Sequence, residues 1–218
     1  VLECISVLPA DNANEFRENL RASAVTGNES KYTQSDELFD APREYVFVAM
    51  QVKTDAVTVL SEFDSESMLD YVVNKYKDTE TSVVVKRHPY CRSKSVNSKL
   101  AELEVLGVIV VSCSSIHCLI SSAKAVYCVN SGVGFEALLH QKDVFVFGRC
   151  DYQHAANRVF MSGSVELAIG PEDRNRFIEF YVKDYLVKFS DHAALTKRIN
   201  MLKDQFFYKH SDCKLNII

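Results

Sequence analysis

The sequence predicts an α/β protein built on a doubly wound parallel sheet. Short apolar runs alternate along the chain with amphipathic segments of helical periodicity. This alternation is typical of parallel strands joined by right-handed helical crossovers. The chain has 218 residues, of which 47% are hydrophobic and 25% charged, so it is long enough for a buried core and is not a disordered chain. We therefore expect a Rossmann-like sheet followed by a C-terminal helical tail.

Five apolar runs predict the strands of this sheet. The first run, YVFVAMQV, is apolar almost throughout, as expected of a strand that is buried on both faces. Runs this short are typical of strands, whereas most helices are longer. The predicted strands cover residues 45–52, 82–86, 108–112, 125–129 and 143–147.

Amphipathic segments between and beyond these runs predict the helices. In residues 66–77, for example, Leu69, Val72, Val73 and Tyr76 fall on one helical face. The positions that face the sheet in such a helix are apolar, and the remaining positions are polar. The other predicted helices cover residues 15–22, 95–106, 114–121, 134–140, 174–189 and 192–208.

Changes of pattern along the chain divide it into three parts. A polar segment at residues 11–42 is longer than most connections inside a compact domain, so we expect an N-terminal extension or linker over residues 1–43. The alternation stops after Gly148, and helical periodicity resumes near Pro171. We therefore expect a Rossmann-like domain over residues 44–160 and C-terminal helices over residues 161–218.

Charge, cysteine content and hydropathy exclude several classes of protein. The formal net charge is −4, which argues against a nucleic-acid partner because phosphate binding needs a basic surface. The seven cysteines include no CxxC pair and no Cys/His cluster with zinc spacing, so we expect free thiols and no metal. The apolar stretches are about half as long as a membrane span. We expect a soluble, cytoplasmic protein without a resident cofactor.

The segment after the fourth predicted strand has the composition of an anion site. Ligands of such sheets bind beyond the carboxyl ends of the strands, where Asn130, Ser131, Gly132 and Gly134 lead into a helix. Glycines allow close approach of a ligand, and the helix N-terminus favours a phosphate or carboxylate. Glu136, in the first turn, can accept hydrogen bonds from a ribose. The alternatives are an ordinary tight turn and a glutamate that compensates the helix dipole.

Two other strand ends carry polar side chains. The second predicted strand ends in Lys86, Arg87, His88 and Pro89, and cationic groups at this edge are suited to binding an anion. The first strand is followed by Gln51 and Asp55. Asp55 is either ionised beside a reacting sugar or a loop or helix-cap aspartate. The favoured site therefore binds an anionic ligand such as a nucleotide or nucleotide sugar.

These residues together resemble the bacterial Kdo transferases of capsule and lipopolysaccharide synthesis. The resemblance rests on QVxxD from Gln51 to Asp55, on the His88-Pro89 pair and on NSGxGxEALL at residues 130–139, and it covers residues 45–152. It implies a retaining β-Kdo transferase of the GT-B type, which uses CMP-β-Kdo and acts on O-antigen or capsule. Residues 44–160 would then be its CMP-sugar-binding half.

The resemblance also implies roles for individual residues. Asp55 would be the nucleophile and His88 a catalytic residue at the donor phosphate, with Pro89 beside it and Lys86 near the donor's charge. Glu136 would hold the ribose. The remaining donor-binding residues would be Gln51, Asn130, Ser131, Gly132 and Gly134. No metal is expected in this mechanism.

The resemblance implies further partners as well. A saccharide acceptor and an N-terminal glycosyltransferase domain, which would precede the Val1 start, are expected, as is peripheral association with the cytoplasmic face of the inner membrane through the full-length protein. Two alternatives remain open. One is a sialyltransferase-like enzyme that uses another CMP-activated acidic sugar, and the other is a non-catalytic nucleotide-binding domain.

Overall fold

A computed structural model describes residues 10–59, 61–187 and 190–210, and its main feature is a largely parallel sheet. The strands follow the order β3-β2-β1-β4-β5-β6-β7, and only the β6–β7 pair is antiparallel. In chain order the strands are β1 (Tyr45–Ala49), β2 (Ser82–Lys86), β3 (Val110–Val111), β4 (Ala125–Cys128), β5 (Asp143–Val146), β6 (Asn157–Val159) and β7 (Val165–Glu166).

Most helices alternate with the strands. Asp64, Ser93, Ser115 and Ser131 each accept a backbone N–H at the start of a helix, which satisfies a donor that has no partner within the helix. The α-helices are α1 (Ala10–Thr26), α2 (Ala56–Val59), α3 (Ser65–Tyr76), α4 (Lys94–Val105), α5 (Ile116–Ser121), α6 (Gly132–Leu139), α7 (Pro171–Phe180) and α8 (His192–His210). A 3₁₀ turn covers Gln153–Ala155 and a π-helical turn covers Tyr181–Tyr185.

The strand order reverses between β1 and β4, and this reversal positions the site. From β1 the chain moves outward to β2 and β3, and then returns to the other side of β1 with β4 and β5. The loops that follow β1 and β4 therefore diverge to opposite faces of the sheet. In doubly wound sheets the crevice at such a reversal is the usual ligand site.

The core lies on the central strands. All residues of β1 and β4 are buried, as are Val83, Val84 and Val85 of β2. Met68, Leu69 and Val72 of α3 are fully buried in the same apolar cluster. Each such side chain contributes roughly 1.5–3 kcal/mol through burial of apolar surface. The core therefore fixes the strand ends that carry the polar loops.

The predicted fold class is confirmed. A parallel strand forms within each predicted apolar run, although the strands at residues 45–52 and 108–112 are shorter than predicted. The structure adds β6 and β7 after Gly148, where the sequence pattern shows no further strand. These strands are short and lack an apolar run, since they include Asn157, Arg158 and Glu166.

The polar N-terminal region is also more closely joined to the sheet domain than expected. The helix predicted at residues 15–22 extends over Ala10–Thr26. The buried Arg17 guanidinium donates a 2.7 Å hydrogen bond to the carbonyl oxygen of Leu139, at the end of α6. The chain forms one compact unit up to Ile178, and this unit includes the described part of the predicted linker. The unit also continues beyond residue 160, where the sequence predicts the end of the Rossmann-like domain.

A second compact unit begins at Glu179, and its described part contains the π-helical turn and α8. The Arg198 guanidinium donates to the carbonyl oxygens of Asp184 and Tyr185, the latter at 2.9 Å. The helix predicted at residues 174–189 is thus α7 with the π-helical turn, and residues 188 and 189 lie outside the described part. The second predicted helix is α8. None of the described helices has the length and apolar character needed to cross a membrane.

Candidate functional site

A cavity of about 230 Å³ lies at the carboxyl ends of β1 and β2. Part of the cavity's apolar lining comes from β1 and the residue that follows it, namely Phe47, Ala49 and Met50. The predicted site residues that line it are Lys86, His88, Pro89 and Ser131, together with Arg87. The remaining lining residues are Cys113, Ile116, Val133, Ser30, Tyr32, Thr33, Gln34 and Ser35. The structure therefore brings the His-Pro segment and the Ser-Gly-x-Gly segment to one cavity.

Lys86 is held by three oxygen acceptors at the cavity wall. Its ammonium group donates to the carbonyl oxygens of Cys113, at 3.3 Å, and Ser114, and to Oε1 of Gln34 at 3.3 Å. Burial lowers the pKa of Lys86 from its ordinary value. An ammonium group has three N–H donors, so a bound anion must replace one of these acceptors.

His88 is oriented as a neutral hydrogen-bond donor. Its Nδ1 accepts the backbone N–H of Tyr90 at 3.2 Å, which places the proton of the neutral ring on Nε2. Burial lowers the pKa of His88, while the Asp55 carboxylate acts in the opposite direction. Of the expected cluster of cations, the lysine and the arginine therefore keep their charge, whereas the imidazole is neutral. Arg87 is tied to Cys91 and Asn97 by its guanidinium group.

Asp55 caps the short helix α2. Its Oδ1 accepts the backbone N–H of Val57 at 3.2 Å, and its carbonyl oxygen accepts from Thr58 and Val59. This is the helix-cap geometry that the sequence left open as an alternative. Asp55 does not belong to the described cavity lining, although its charge acts on His88.

Gln51 and Asn130 join the loops at the strand-order reversal. Nε2 of Gln51 donates to Oδ1 of Asn130 at 2.8 Å, and the backbone N–H of Asn130 donates to Oε1 of Gln51 at 2.9 Å. Nδ2 of Asn130 donates further to the Val57 carbonyl oxygen at 2.7 Å. Neither residue is among the described cavity lining. Their geometry fixes the position of both loops.

The two glycines of the Ser-Gly-x-Gly segment have different surroundings. A Cβ on Gly134 would clash with the Tyr152 hydroxyl and lie 3.0 Å from the Cys128 sulfur, so packing requires a glycine here. A Cβ on Gly132 would meet no atom within 4 Å. Ser131 caps α6 by accepting the Val133 N–H. Of the two glycines, only Gly132 leaves open space for a ligand.

Glu136 is a largely buried carboxyl group near the cavity. Its Oε1 accepts a 2.9 Å hydrogen bond from the Ser30 hydroxyl, whereas its buried Oε2 has no hydrogen-bond partner among the described residues. Burial raises the pKa of Glu136 to about 7, and the Ser30 hydrogen bond opposes that shift. Ser30 lines the cavity, but Glu136 is not part of the described lining.

Residues 29–35, here called the strap, form one wall of the cavity. Sequence reasoning missed this contribution, because the strap is polar, lacks any helical or strand periodicity and belongs to the predicted linker. Its contacts use side-chain and backbone polar atoms, which leave no periodic signal. An aromatic residue, Tyr32, within this polar stretch was the one visible indication.

A second cavity, of about 510 Å³, lies at the carboxyl ends of β5 and β6. Arg149 and Arg158 contribute its cationic groups, and the Arg158 guanidinium pairs with Glu166 at 3.0 Å.

The described residues contain no group of three or more His, Cys, Asp or Glu side chains that could hold a metal ion. All five described cysteines are free thiols, and Cys113 and Cys118 are exposed.

The family of the chain follows from its match to known proteins. Residues 12–156 match the family described as "Capsule polysaccharide biosynthesis protein". This chain belongs to the capsule polysaccharide biosynthesis family. The relationship predicted from the sequence motifs is thereby confirmed. The family match includes most of α1 and the whole strap, so it extends beyond the segment that carries the motif resemblance.

One curated relative of this capsule biosynthesis chain is Protein FixF of Sinorhizobium fredii, which is 31% identical over 204 residues. That alignment covers 86% of this chain and 50% of FixF. The chain therefore spans about half the length of this relative.

Two solved structures of KpsC from Thermosulfurimonas dismutans share the fold. The first is named a beta Kdo 2,7 transferase and has a TM-score of 0.54 at 21% sequence identity. This match covers 80% of the present chain and 55% of the KpsC chain. The second, named a beta Kdo 2,4 transferase, has a TM-score of 0.52 at 18% identity, with coverage of 78% and 56%. The fold is thus similar to about half of each KpsC chain.

Proposed function

We propose that this chain is the donor-binding part of a retaining glycosyltransferase that moves β-Kdo from CMP-β-Kdo to a saccharide acceptor of bacterial surface polysaccharide. The observation that carries this proposal is the cavity in which His88, Pro89 and Ser131 meet at the reversal of strand order. Membership of the capsule biosynthesis family and the fold shared with KpsC, which is named as a β-Kdo transferase, support the choice of sugar.

The chemistry of the donor matches the groups around the cavity. CMP-β-Kdo carries a phosphodiester and a sugar carboxylate, and both need hydrogen-bond donors or positive charge. His88 offers the Nε2–H donor, Lys86 supplies positive charge, and the open space at Gly132 admits a ligand beside the α6 backbone. Phe47 and Met50 offer apolar surface for the base.

The proposed reaction is a double displacement at the anomeric carbon. The Asp55 carboxylate attacks that carbon, a C–O bond forms to Asp55, and the bond to the phosphate breaks so that CMP leaves with the electron pair. The acceptor hydroxyl then attacks the same carbon and displaces Asp55, and a base takes the hydroxyl proton. His88 donates a hydrogen bond to the leaving phosphate. Two inversions give net retention.

We propose an acceptor site and a general base only for the full-length protein. The chain spans about half the length of FixF and of the KpsC chains, so groups outside residues 1–218 contribute to the transfer that we propose. The proposed partners are CMP-Kdo, a saccharide acceptor and a second glycosyltransferase domain.

Transfer assays on the full-length protein test this function. We expect transfer from CMP-β-Kdo, with a β-linkage in the product by NMR, and no transfer from CMP-sialic acid. Asp55→Ala should abolish transfer and leave CMP binding within about twofold, because the nucleophile does not hold the nucleotide. Asp78→Ala, at an exposed aspartate in the turn after α3, is the matched control and should retain activity.

Two results would contradict the proposal in different ways. Transfer from CMP-sialic acid but not from CMP-β-Kdo would establish the sialyltransferase-like alternative. Unchanged transfer by Asp55→Ala would remove Asp55 from the mechanism, and CMP binding without any transfer by the full-length protein would favour a non-catalytic nucleotide-binding domain.

A further inference from the structure

The strap is tied to the sheet domain at both of its ends. The carbonyl oxygen of Glu29 accepts from Nε2 of His117 at 2.7 Å, and the Ser30 hydroxyl donates to Glu136. At the other end, Oε1 of Gln34 accepts the backbone N–H of Ile116 at 3.0 Å. Because both ends are anchored, the residues between them are held across the cavity.

Tyr32 is the central residue of the strap, and its ring contacts the His-Pro segment. Its ring meets His88 edge-on, with the ring centroids 5.0 Å apart and an interplanar angle of 81°. It meets Tyr90 in the same way at 5.2 Å and 86°. The strap therefore contacts the one imidazole at the cavity through an aromatic edge.

His88 is thereby restrained from two directions. The backbone N–H of Tyr90 fixes Nδ1, and the ring of Tyr32 packs against the imidazole from the strap. Nε2 has no hydrogen-bond partner among the described residues, so it is the atom available to a ligand. A restraint on both the ring plane and the tautomer directs this one donor to a fixed position.

We propose that the strap is part of the nucleotide site and that Tyr32 is a positioning residue, which holds His88 so that Nε2 donates to the donor phosphate. This inference rests on the proposed function, because it assumes that a CMP-activated sugar is the ligand. Its specific content is that the aromatic edge of Tyr32, rather than its hydroxyl group, acts on phosphate binding through His88.

Calorimetric titration of the full-length protein with CMP and with cytidine tests this role. Tyr32→Ala should weaken CMP binding about tenfold and change cytidine binding less than about twofold, because only CMP carries the phosphate. Tyr32→Leu keeps apolar bulk without an aromatic edge, so it should show the same loss. Tyr32→Phe keeps the edge and should bind CMP like the wild type.

Phe39→Ala is the matched control. Phe39 belongs to the same N-terminal region and packs edge-on against Tyr45 with a centroid distance of 5.4 Å, away from the described cavity lining. It should leave both affinities unchanged. An NMR titration adds a second measurement: Tyr32→Ala should raise the pKa of His88 towards its ordinary value, because Tyr32 contributes to the burial that lowers it. Lys31, which opposes protonation, and Asp55, which favours it, are present in every variant.

The outcomes separate this inference from the proposed function. Equal losses for CMP and cytidine would show that Tyr32 contacts only the nucleoside, and an unchanged CMP affinity would show that it contributes nothing; either result overturns the positioning role. A loss in Tyr32→Phe equal to that in Tyr32→Leu would contradict the role of the aromatic edge. A wild-type protein that binds neither ligand would contradict the proposed function itself.

Discussion

Two sets of polar side chains at the carboxyl end of the sheet are used differently. In the first set, Gln51 and Asn130 bind each other and the backbone through their amide groups, across the strand-order reversal. In the second set, at the end of β2, His88 lines the cavity and its Nε2 has no hydrogen-bond partner among the described residues. Oε2 of Glu136 also has no such partner, but it is buried and lies outside the described cavity lining. The residues of the predicted site therefore divide into those that shape the crevice and those that remain available to a ligand.

The largest effect is expected at His88, which remains available to a ligand. His88→Ala should reduce transfer by the full-length protein at least about 100-fold, because the phosphate loses a positioned donor in the transition state. The melting temperature should fall only slightly, since His88 is half-buried and its described side-chain contacts are confined to Tyr32 and Tyr90. The measurement is the initial transfer rate together with thermal unfolding.

His154→Ala is the control for this variant, because His154 is exposed and lies outside the described cavity lining. A large fall in melting temperature for His88→Ala alone would show that His88 is instead a structural residue. The comparison between the two sets would then fail, because His88 is its example of a residue that remains available to a ligand.

The next effect is expected at Gln51 and Asn130, which shape the crevice. Asn130→Ala should lower the free energy of unfolding by about 2 kcal/mol, because it removes a hydrogen-bonded cross-link and leaves partners unsatisfied. The double variant with Gln51→Ala should lose less than the sum of the single losses, since the two amides bind each other. Urea unfolding measures both quantities, and Asn74→Ala, at an exposed position of α3, is the control.

Additive losses at Gln51 and Asn130 would contradict the reciprocal pair. A loss of CMP affinity in Asn130→Ala without loss of stability would place Asn130 with the ligand-binding residues, as the sequence motif predicts. Either result would change which residues are assigned to shaping the crevice and which to binding the ligand.

The smallest effect concerns the pH dependence of stability at Glu136. Its pKa in the folded protein is about 7, above the ordinary value of 4.5, so the folded state holds this proton more tightly than the unfolded state. This group therefore makes stability fall as the pH rises from about 4.5 to 7. Glu136→Gln should be more stable than the wild type by roughly 1–2 kcal/mol at pH 8, with little difference near pH 4.5.

Urea unfolding at several pH values measures this difference. His140, whose pKa burial lowers to about 4, destabilises the protein as the pH falls below about 6.5, but it is present in both proteins and cancels in the comparison. Glu102→Gln, at an exposed position of α4, is the control. A wild type that is more stable than Glu136→Gln at pH 8 would show that the ionised carboxylate is satisfied in the folded protein.

The central fold could be predicted because its signal is apolar and periodic. Val83 to Val85 form a buried strand within a short apolar run, and the polar residues at its end reach the same cavity as Ser131. The strands β6 and β7, of three and two residues, gave no such signal, because strands this short at and next to the edge of the sheet need no apolar run.

The details of the site could not be predicted in the same way. Sequence alone does not distinguish Gly134, which packs against Tyr152, from Gly132, which faces open space. Nor does it show that Tyr90 fixes the neutral form of His88, because this contact depends on the conformation of the loop after β2. The reach of the strap to the cavity is hidden as well, because its contacts join polar atoms far apart in the chain.

A crystal structure of the full-length protein with CMP tests the central claim most directly. We predict CMP in the cavity at the ends of β1 and β2, with a phosphate oxygen about 3 Å from Nε2 of His88 and the base against the apolar surface of Phe47 and Met50. CMP bound instead in the second cavity, beside Arg149 and Arg158, would contradict the account.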